Sequence, residues 1–442
     1  MPELSQLETG IAVLVAVLTL IFLRVPVGLA LGLSAFLGAA VLLPMPAAVS
    51  LMTRVPYEFA ASWEFAAVPL FLVMGAVIVR AGMAEGLFQL AGRLLSGLPG
   101  GLAIATNFAG AAFGAASGSS LATTVAIGRL ATPQMLRAGY DPALATAVTA
   151  CAGTLAALIP PSIPLIVYGI LAEQSVARLF LAGIVPGLLT AFAYALMIAL
   201  RCHFNLALAP RKSRQPPADD LEDETADWGV VALPIIAIII LGGIYSGLFS
   251  PGQAGAVGTV AAILIALPRK DFQWRDLAAA FADAARQTAS ILFVAIGAFM
   301  LTRTMALTGL PFALADLVEA WAVSPLVLIL GASLLFVLLG MVLDTFGVML
   351  LSVAVLLPVF ERLDFDLIWL GIIIVKYIEI GLITPPVGLN VFAAKSVAPD
   401  QISLPTIFRG VVWFLVAEVF VMACLLGFPS IVLWLPNQVF GV

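Results

Sequence analysis

The chain has 442 residues, 62% of them hydrophobic and only 10% charged, whereas soluble domains run at about 45–50% and about 25%. That composition excludes an ordinary soluble enzyme or binding module and marks an integral membrane protein, for which length does not count domains. The formal charge of -5 comes largely from loops and gives no sign of nucleic acid as a partner. Cys151, Cys202 and Cys424 lack the spacing of metal ligands or of a disulfide framework.

Residues 1–10 are acidic and lack the basic start of a signal peptide, so 11–23 reads as the core of a retained span. Crossing about 30 Å of hydrocarbon takes about 20 residues, and suitable runs lie near 8–23, 27–43, 64–80, 143–171, 179–200, 229–248, 253–267, 286–303, 366–394 and 405–427. Arg24-Val25-Pro26, Gly82, Ser250-Pro251-Gly252 and Pro268-Arg269-Lys270 mark breaks between them. Amphipathic pieces at 48–62, 83–95 and 272–285 suit helices lying in the interface, or extensions of adjoining spans. Segments 101–138 and 325–363 are apolar, about twice one span in length, and polar at their middles. Such a segment reads as a re-entrant hairpin, because irregular backbone at membrane depth survives only against protein or a wet cavity.

Two proline pairs stand inside apolar stretches, Ile159-Pro160-Pro161-Ser162-Ile163-Pro164 and Ile383-Thr384-Pro385-Pro386-Val387-Gly388. Each proline removes a backbone donor, so both stretches predict broken helices. An offset of 225 residues places Pro133 on Pro358, Arg137 on Arg362, Asp141 on Asp366, Pro160 on Pro385 and Pro161 on Pro386 without a gap. The fold class that follows is an all-α polytopic membrane protein of two inverted-topology repeats. Each has about five spanning helices, one hairpin and one Pro-broken helix, the pointer to a secondary transporter with its site between the repeats. The expected divisions are 1–200, with hairpin 101–138 and broken helix 143–171, and 229–442, with hairpin 325–363 and broken helix 366–394. Residues 201–228, the only long polar stretch, read as a cytoplasmic linker in which His203 has no role.

The chemistry-bearing residues cluster at the hairpin tips. Ser117, Gly118, Ser119, Ser120 and Thr123 offer hydroxyls and glycine-freed carbonyls, hard oxygen ligands that can dehydrate a sodium ion or hold a carboxylate. The second tip carries Asp344 and Thr345 instead, with Thr384 before its prolines and the Asn390 amide close by. An intramembrane aspartate requires a partner or an ion. Lys376 and Glu379, three apart on one helix face, predict a neutralising pair or a part in substrate or proton handling. Glu418 has no obvious partner and fits a face toward a second subunit. No P-loop is present, so transport by the chain's own ATP hydrolysis is not expected; Gly-x-Ser-x-Gly and a usable His are missing too, and an enzyme is not indicated.

Taken together, Ser117-Gly-Ser-Ser-Leu-Ala-Thr-Thr-Val-Ala-Ile-Gly128, Gly139-Tyr-Asp141, Ile159-Pro-Pro-Ser-Ile-Pro164 with Tyr168-Gly169, Gly242-Gly-Ile-Tyr-Ser-Gly-Leu-Phe-Ser-Pro251 and Ile383-Thr-Pro-Pro-Val-Gly-Leu-Asn390 resemble the large membrane subunit of tripartite ATP-independent periplasmic (TRAP) transporters over essentially the whole chain. Gly252-Gln253 departs from the family's usual Thr-Glu. The resemblance implies a sodium-driven elevator carrier for organic acids in the bacterial inner membrane. Its partners would be a separate small four-helix membrane subunit and a soluble periplasmic substrate-binding protein. It also implies two Na+ sites with substrate between them. One would draw on Ser117 to Ser120 with Gly153, Pro160 and Pro161, the other on Asp344, Thr345, Gly381, Thr384, Pro385 and Pro386. The Na+ ligands that the resemblance implies are Ser119, Ser120, Gly153, Asp344, Thr345, Gly381 and Thr384. Competing readings are a self-sufficient sodium/anion symporter of the same architecture and, from another class, a channel or scaffold; polar residues gathered at two midpoints argue against a continuous conducting path.

Basic residues set the orientation. Arg24, Arg80, Arg93, Arg129, Arg137, Arg201, Arg269, Lys270, Arg275, Arg286, Lys395, Arg409 and the Arg211-Lys212-Ser213-Arg214 cluster fall on one side, against Arg54, Arg178, Arg303 and Arg362 on the other. The positive-inside rule then puts both termini in the periplasm and 201–228 in the cytoplasm. Reporter fusions at both termini and at Ser213 check this; periplasmic signal from Ser213 would reverse the orientation.

Overall fold

Caps and prolines decide where the apolar sequence divides into helices. The structure, a computed structural model, describes residues 5–210, 225–269, 271–321 and 324–441, without the side chains of 225–229. Among these residues every regular element is helical. The expected linker positions 211–224 and Lys270 lie outside the described residues.

In the first half, α1 (Gln6–Phe22) starts at a capping box between Ser5 and Glu8, and Pro26 precedes α2 (Val27–Leu42). Next come α3 (Met45–Ala60) and α4 (Ala67–Arg80), bent by 53° about a short 3-10 turn. They are followed by α5 (Met83–Leu95), α6 (Gly101–Ser117), α7 (Ser120–Arg137), α8 (Pro142–Thr154), α9 (Ile163–Leu171) and α10 (Val176–Phe204). The second half contains α11 (Thr225–Tyr245), α12 (Pro251–Ala266), α13 (Trp274–Thr308), α14 (Leu310–Ala320), α15 (Pro325–Gly340), α16 (Thr345–Arg362), α17 (Leu367–Ile383), α18 (Leu389–Val397), α19 (Leu404–Gly427) and α20 (Ser430–Phe440). Asp141 and Asp366 cap α8 and α17, accepting from the Leu144 N–H at 3.1 Å and the Trp369 N–H at 2.9 Å.

Fewer helices than expected are long enough to cross alone. Among the described residues α10, α13, α16 and α19 have the length and hydropathy, and α3 with α4 passes only as a bent pair, the form of either a broken span or a re-entrant loop. The expected spans at α1, α2, α8 and α12 are apolar helices of 10–17 residues, and sixteen residues rise only about 24 Å. The expected interfacial piece at 272–285 is instead continuous with the span after it, in the 35-residue α13. No Gly or Pro interrupts it there, and its Asp283 pairs with Arg80 and with Arg286, the latter at 2.5 Å. Two short helices were not expected: α14, where Asp316 and Glu319 dilute the hydrophobicity, and α20, which contains Pro436 and Asn437. Helix α10 runs through His203 to Phe204, and the chain beyond folds back: the Asp141 N–H donates to the Leu208 carbonyl at 3.0 Å and Ala209 is buried. The expected solvated linker therefore does not begin at 201.

Helix α13 packs along α2 and α4, and α12 lies against α4. Hydroxyls tie this frame together, Thr304 donating to the Ala35 carbonyl at 3.0 Å and Thr259 to the Leu70 carbonyl at 2.7 Å. Beside it α6 to α10 and α15 to α19 form an inner bundle whose close contacts rest on small residues. A Cβ at Gly114 of α6 would stand 2.7 Å from the Ala156 Cα, whereas one at Gly331 of α15 would meet nothing within 4 Å. Gly114→Val is expected to lower the melting temperature of the purified protein through overpacking of about 1–3 kcal/mol. Gly331→Val should leave it near wild type, and equal losses from both would remove the close approach as the cause.

Candidate functional site

Both hairpins turn inside the bundle, and each tip meets a helix break. In the first, α6 ends at Ser117 and the chain reverses through Gly118, whose φ of 62° lies in the left-handed region that glycine adopts without strain. A Cβ at Gly118 would stand 3.2 Å from the Pro161 carbonyl oxygen, so tip and break are in contact. Ser119 caps α7, accepting from the Ala122 N–H at 3.4 Å, and the Ser117 and Thr123 hydroxyls bond each other at 2.7 Å. Gly153 lies against the start of α7: a Cβ there would fall 2.0 Å from Thr124 Oγ1 and 2.6 Å from the Ser120 carbonyl oxygen.

The break at 158–162 contains Pro160 and Pro161, joined by a cis peptide bond, and α9 restarts from Ser162, which accepts from the Leu165 N–H at 3.3 Å. Its residues are buried apart from half-buried Ile159.

The second tip is built differently. Helix α15 ends at Gly340 and α16 starts at Thr345, with Asp344 as its cap, accepting from the Gly347 N–H at 3.2 Å. A Cβ at Gly381 of α17 would be 2.7 Å from the Gly340 Cα, and the Gly388 N–H donates to the Met341 carbonyl at 3.4 Å. Thr384 turns its hydroxyl back to the Ile380 carbonyl at 2.6 Å, while Pro385 and Pro386 are exposed and cis-linked. Asp344 is likewise exposed and serves as a helix cap rather than as a deeply buried charge. Both tips thus reach the break expected for them.

The buried charges lie on α17 and α19. Lys376 does not pair with Glu379. Its ammonium bonds Glu418 Oε1 at 2.7 Å and lies 2.6 Å from Oε2, with both residues at most 2% exposed. The Tyr194 hydroxyl of α10 donates to the same Oε1. Glu418 therefore finds its partners inside the chain and is buried there rather than facing a second subunit. The rise along α17 sends Lys376 toward α19 and α10, leaving Glu379 to the hairpins. There the Ser120 hydroxyl donates to Glu379 Oε2 at 2.7 Å and the Thr345 hydroxyl to Oε1 at 3.1 Å. Spacing along one helix could not foretell partners supplied by other helices; the one available signal was that Ser120 and Thr345 stand 225 residues apart, the offset of the proline pairs.

Two buried side-chain oxygens near the first tip and break have no partner among the described residues, Thr124 Oγ1 beside Gly153 and Asn390 Oδ1, whose amide nitrogen reaches the Ala150 carbonyl at 3.5 Å. Unpartnered hard oxygens beside a tip carbonyl fit a small hard cation. A separate open cavity of about 500 Å³ lies away from the tips, between α3, the start of α10 and α13, lined among others by Glu58, Glu64, Glu173 and Arg303.

Apolar helices around a buried polar centre, broken by paired prolines, define a multi-pass helical membrane protein. The family described as "Tripartite ATP-independent periplasmic transporter, DctM component" matches residues 14–431. The chain belongs to this family and is a transporter permease of the large-subunit type. It is 34% identical to the C4-dicarboxylate TRAP transporter large permease protein DctM of Pseudomonas aeruginosa, over 92% of this chain and 93% of that one. It is 30% identical to the sialic acid TRAP transporter large permease protein SiaM of Vibrio cholerae, over 85% and 86% of the two chains. The crystal structure of the Alcanivorax borkumensis YdaH transporter has a similar fold, with a TM-score of 0.61 and 17% identity over 85% of this chain and 86% of that one.

The Lys376–Glu418 contact carries a test. Lys376→Met alone should destabilise the folded protein by about 3–5 kcal/mol, because it strands a buried carboxylate, while Lys376→Met with Glu418→Leu should recover most of the loss. Thermal melting of the four members of the cycle measures the coupling, and additive losses would show that the contact does not stabilise the bundle.

Proposed function

We propose that the protein carries out sodium-coupled secondary active uptake of an organic acid, delivered by a soluble periplasmic binding protein, as the large subunit beside a small four-helix membrane subunit. The observation that carries this reading is the meeting of the two hairpin tips, through Ser120 and Thr345, at one buried position beside two Pro-broken helices. The 225-residue spacing of Ser120 and Thr345, of the capping aspartates and of the proline pairs supports two repeats. An odd number of crossings in each would invert the second relative to the first. The relatives named for C4-dicarboxylate and for sialic acid support a carboxylate substrate.

Sodium is transported cargo in this reading. Ser119, Ser120, Gly153 and the unpartnered Thr124 oxygen would supply oxygens at the first tip, and Asp344, Thr345, Gly381 and Thr384 at the second. The substrate lies between them, against the N-terminal ends of α7, α9, α16 and α18, whose free N–H groups and dipoles favour a carboxylate. The start of α18 has no side-chain cap, which leaves its N–H groups available. In an elevator step the tips and broken helices shift together past the frame of α2, α4, α12 and α13, and both sodium ions and the acid move with them.

In proteoliposomes containing the partner subunits, uptake of radiolabelled acid should require a sodium gradient. Ser120→Ala and Thr345→Ala should each raise the half-saturating sodium concentration about tenfold, as expected for losing roughly 1.4 kcal/mol of ligand interaction. Asp344→Asn keeps a competent helix cap yet removes a charge, and should impair transport more severely. Robust wild-type uptake on a proton gradient without sodium would overturn the coupling, and uptake by the chain alone would overturn dependence on the binding protein.

A further inference from the structure

We propose that Glu379 is a positioning residue that couples the two hairpin tips, so that the state of one tip is transmitted to the other through a single carboxylate. The inference rests on the sodium reading for its consequence but not for its geometry. Ser120 is the first residue of α7 and Thr345 the first of α16, so each donor sits where its hairpin leaves the tip. One hydroxyl bonds Oε2 and the other Oε1, which makes Glu379, among the described residues, the one hydrogen-bonded to both tips through its side chain. Glu379 is 1% exposed, Ser120 6% and Thr345 8%, so both bonds lie out of contact with bulk solvent.

Among the described residues no cation pairs with the carboxylate instead. The Lys376 ammonium, three residues earlier on α17, is engaged by Glu418. Glu379 also lies just before the second break at 384–388, in the helix that α15 packs against. A displacement of either tip away from α17 therefore strands one oxygen of a buried carboxylate, and the lost bond disfavours displacement of that tip by itself. Coupling of this kind is reciprocal: whatever an ion at the first tip does to affinity at the second, an ion at the second does to the first by the same factor. The role is distinct from ligation, because it predicts dependence between the tips rather than weaker binding at either.

The test is a triple-mutant cycle on the full chain with its small subunit in nanodiscs, built from Ser120→Ala, Thr345→Ala and Glu379→Ala. The readout is thermal melting in sodium chloride titrations, with choline chloride holding ionic strength. With Glu379 present, Ser120→Ala and Thr345→Ala should be non-additive, the double variant's sodium midpoint differing at least about fivefold from the product of the single shifts, the lower end of ordinary coupling. In the Glu379→Ala background the two shifts should multiply. If Glu379→Ala does not fold, Glu379→Met fills the volume without an acceptor and replaces it.

Glu379→Gln, which retains one acceptor oxygen and can donate to the other hydroxyl, should keep the non-additivity. Non-additivity that persists in Glu379→Ala or Glu379→Met overturns the proposal, as does its loss in Glu379→Gln, which would assign the effect to charge rather than to the bridge. If the wild-type melting temperature ignores sodium, the sodium reading fails instead. The same cycle scored on melting temperature in choline chloride then decides the bridge: coupling present with Glu379 and absent without it upholds the bridge, and any other pattern overturns it.

Discussion

Backbone polar groups inside an apolar bundle must find partners within the protein, and the two helix breaks make that requirement acute. At the first break Ser162 restarts the helix by accepting the Leu165 N–H, and the Pro161 carbonyl stands against the Gly118 turn of the hairpin. At the second, the Gly388 N–H reaches the Met341 carbonyl of the other hairpin and the Thr384 hydroxyl covers the Ile380 carbonyl. The hairpins are thus more than neighbours of the broken helices. At the second break the Met341 carbonyl accepts an N–H that an unbroken helix would have satisfied internally, and at the first the Gly118 turn packs against the Pro161 carbonyl, so oxygen-rich tips lie beside helix ends.

The buried ionisable groups follow the same logic. Three charged residues are deeply buried among those described, the Lys376 ammonium and the Glu379 and Glu418 carboxylates. The Lys376 ammonium is held at Glu418, where Tyr194 adds a further donor. Glu379 is left to neutral hydroxyls from the two hairpins. A buried carboxylate held by hydroxyls is less fully compensated than one held by an ammonium. The tight Gly and Ala packing between α6 and α8 confines the tips there, since neither helix can shift without opening a gap or a clash.

The halves share a plan but not an environment. The first break is almost wholly buried under its tip, whereas Pro385, Pro386 and Asp344 at the second are exposed. Ser119 and Asp344, which occupy equivalent positions 225 apart, both act as helix caps, yet only the second carries a charge. Near-symmetry of sequence thus coexists with unequal access to the two breaks.

Much of this was legible in the residues because it depends on local chemistry. Proline removes an N–H wherever it stands, so the breaks near Pro160 and Pro385 follow from sequence, as do the small polar tips at 117–120 and 344–345 and most helix bounds. Composition alone required a membrane protein. What local chemistry cannot contain is which distant group a side chain meets. Lys376 and Glu379 are neighbours on a helical wheel, but the bundle brings Glu418 and Tyr194 to one and Ser120 and Thr345 to the other. Likewise the charged face of 272–285 resembled an interfacial helix until Arg80, from α4, met Asp283 and let α13 run on unbroken. Sequence by itself determined where helices end and which groups need partners, because both are set within a few residues of chain. Only the tertiary structure decided who the partners are, because contact distances of about 3 Å between helices depend on how all of them pack.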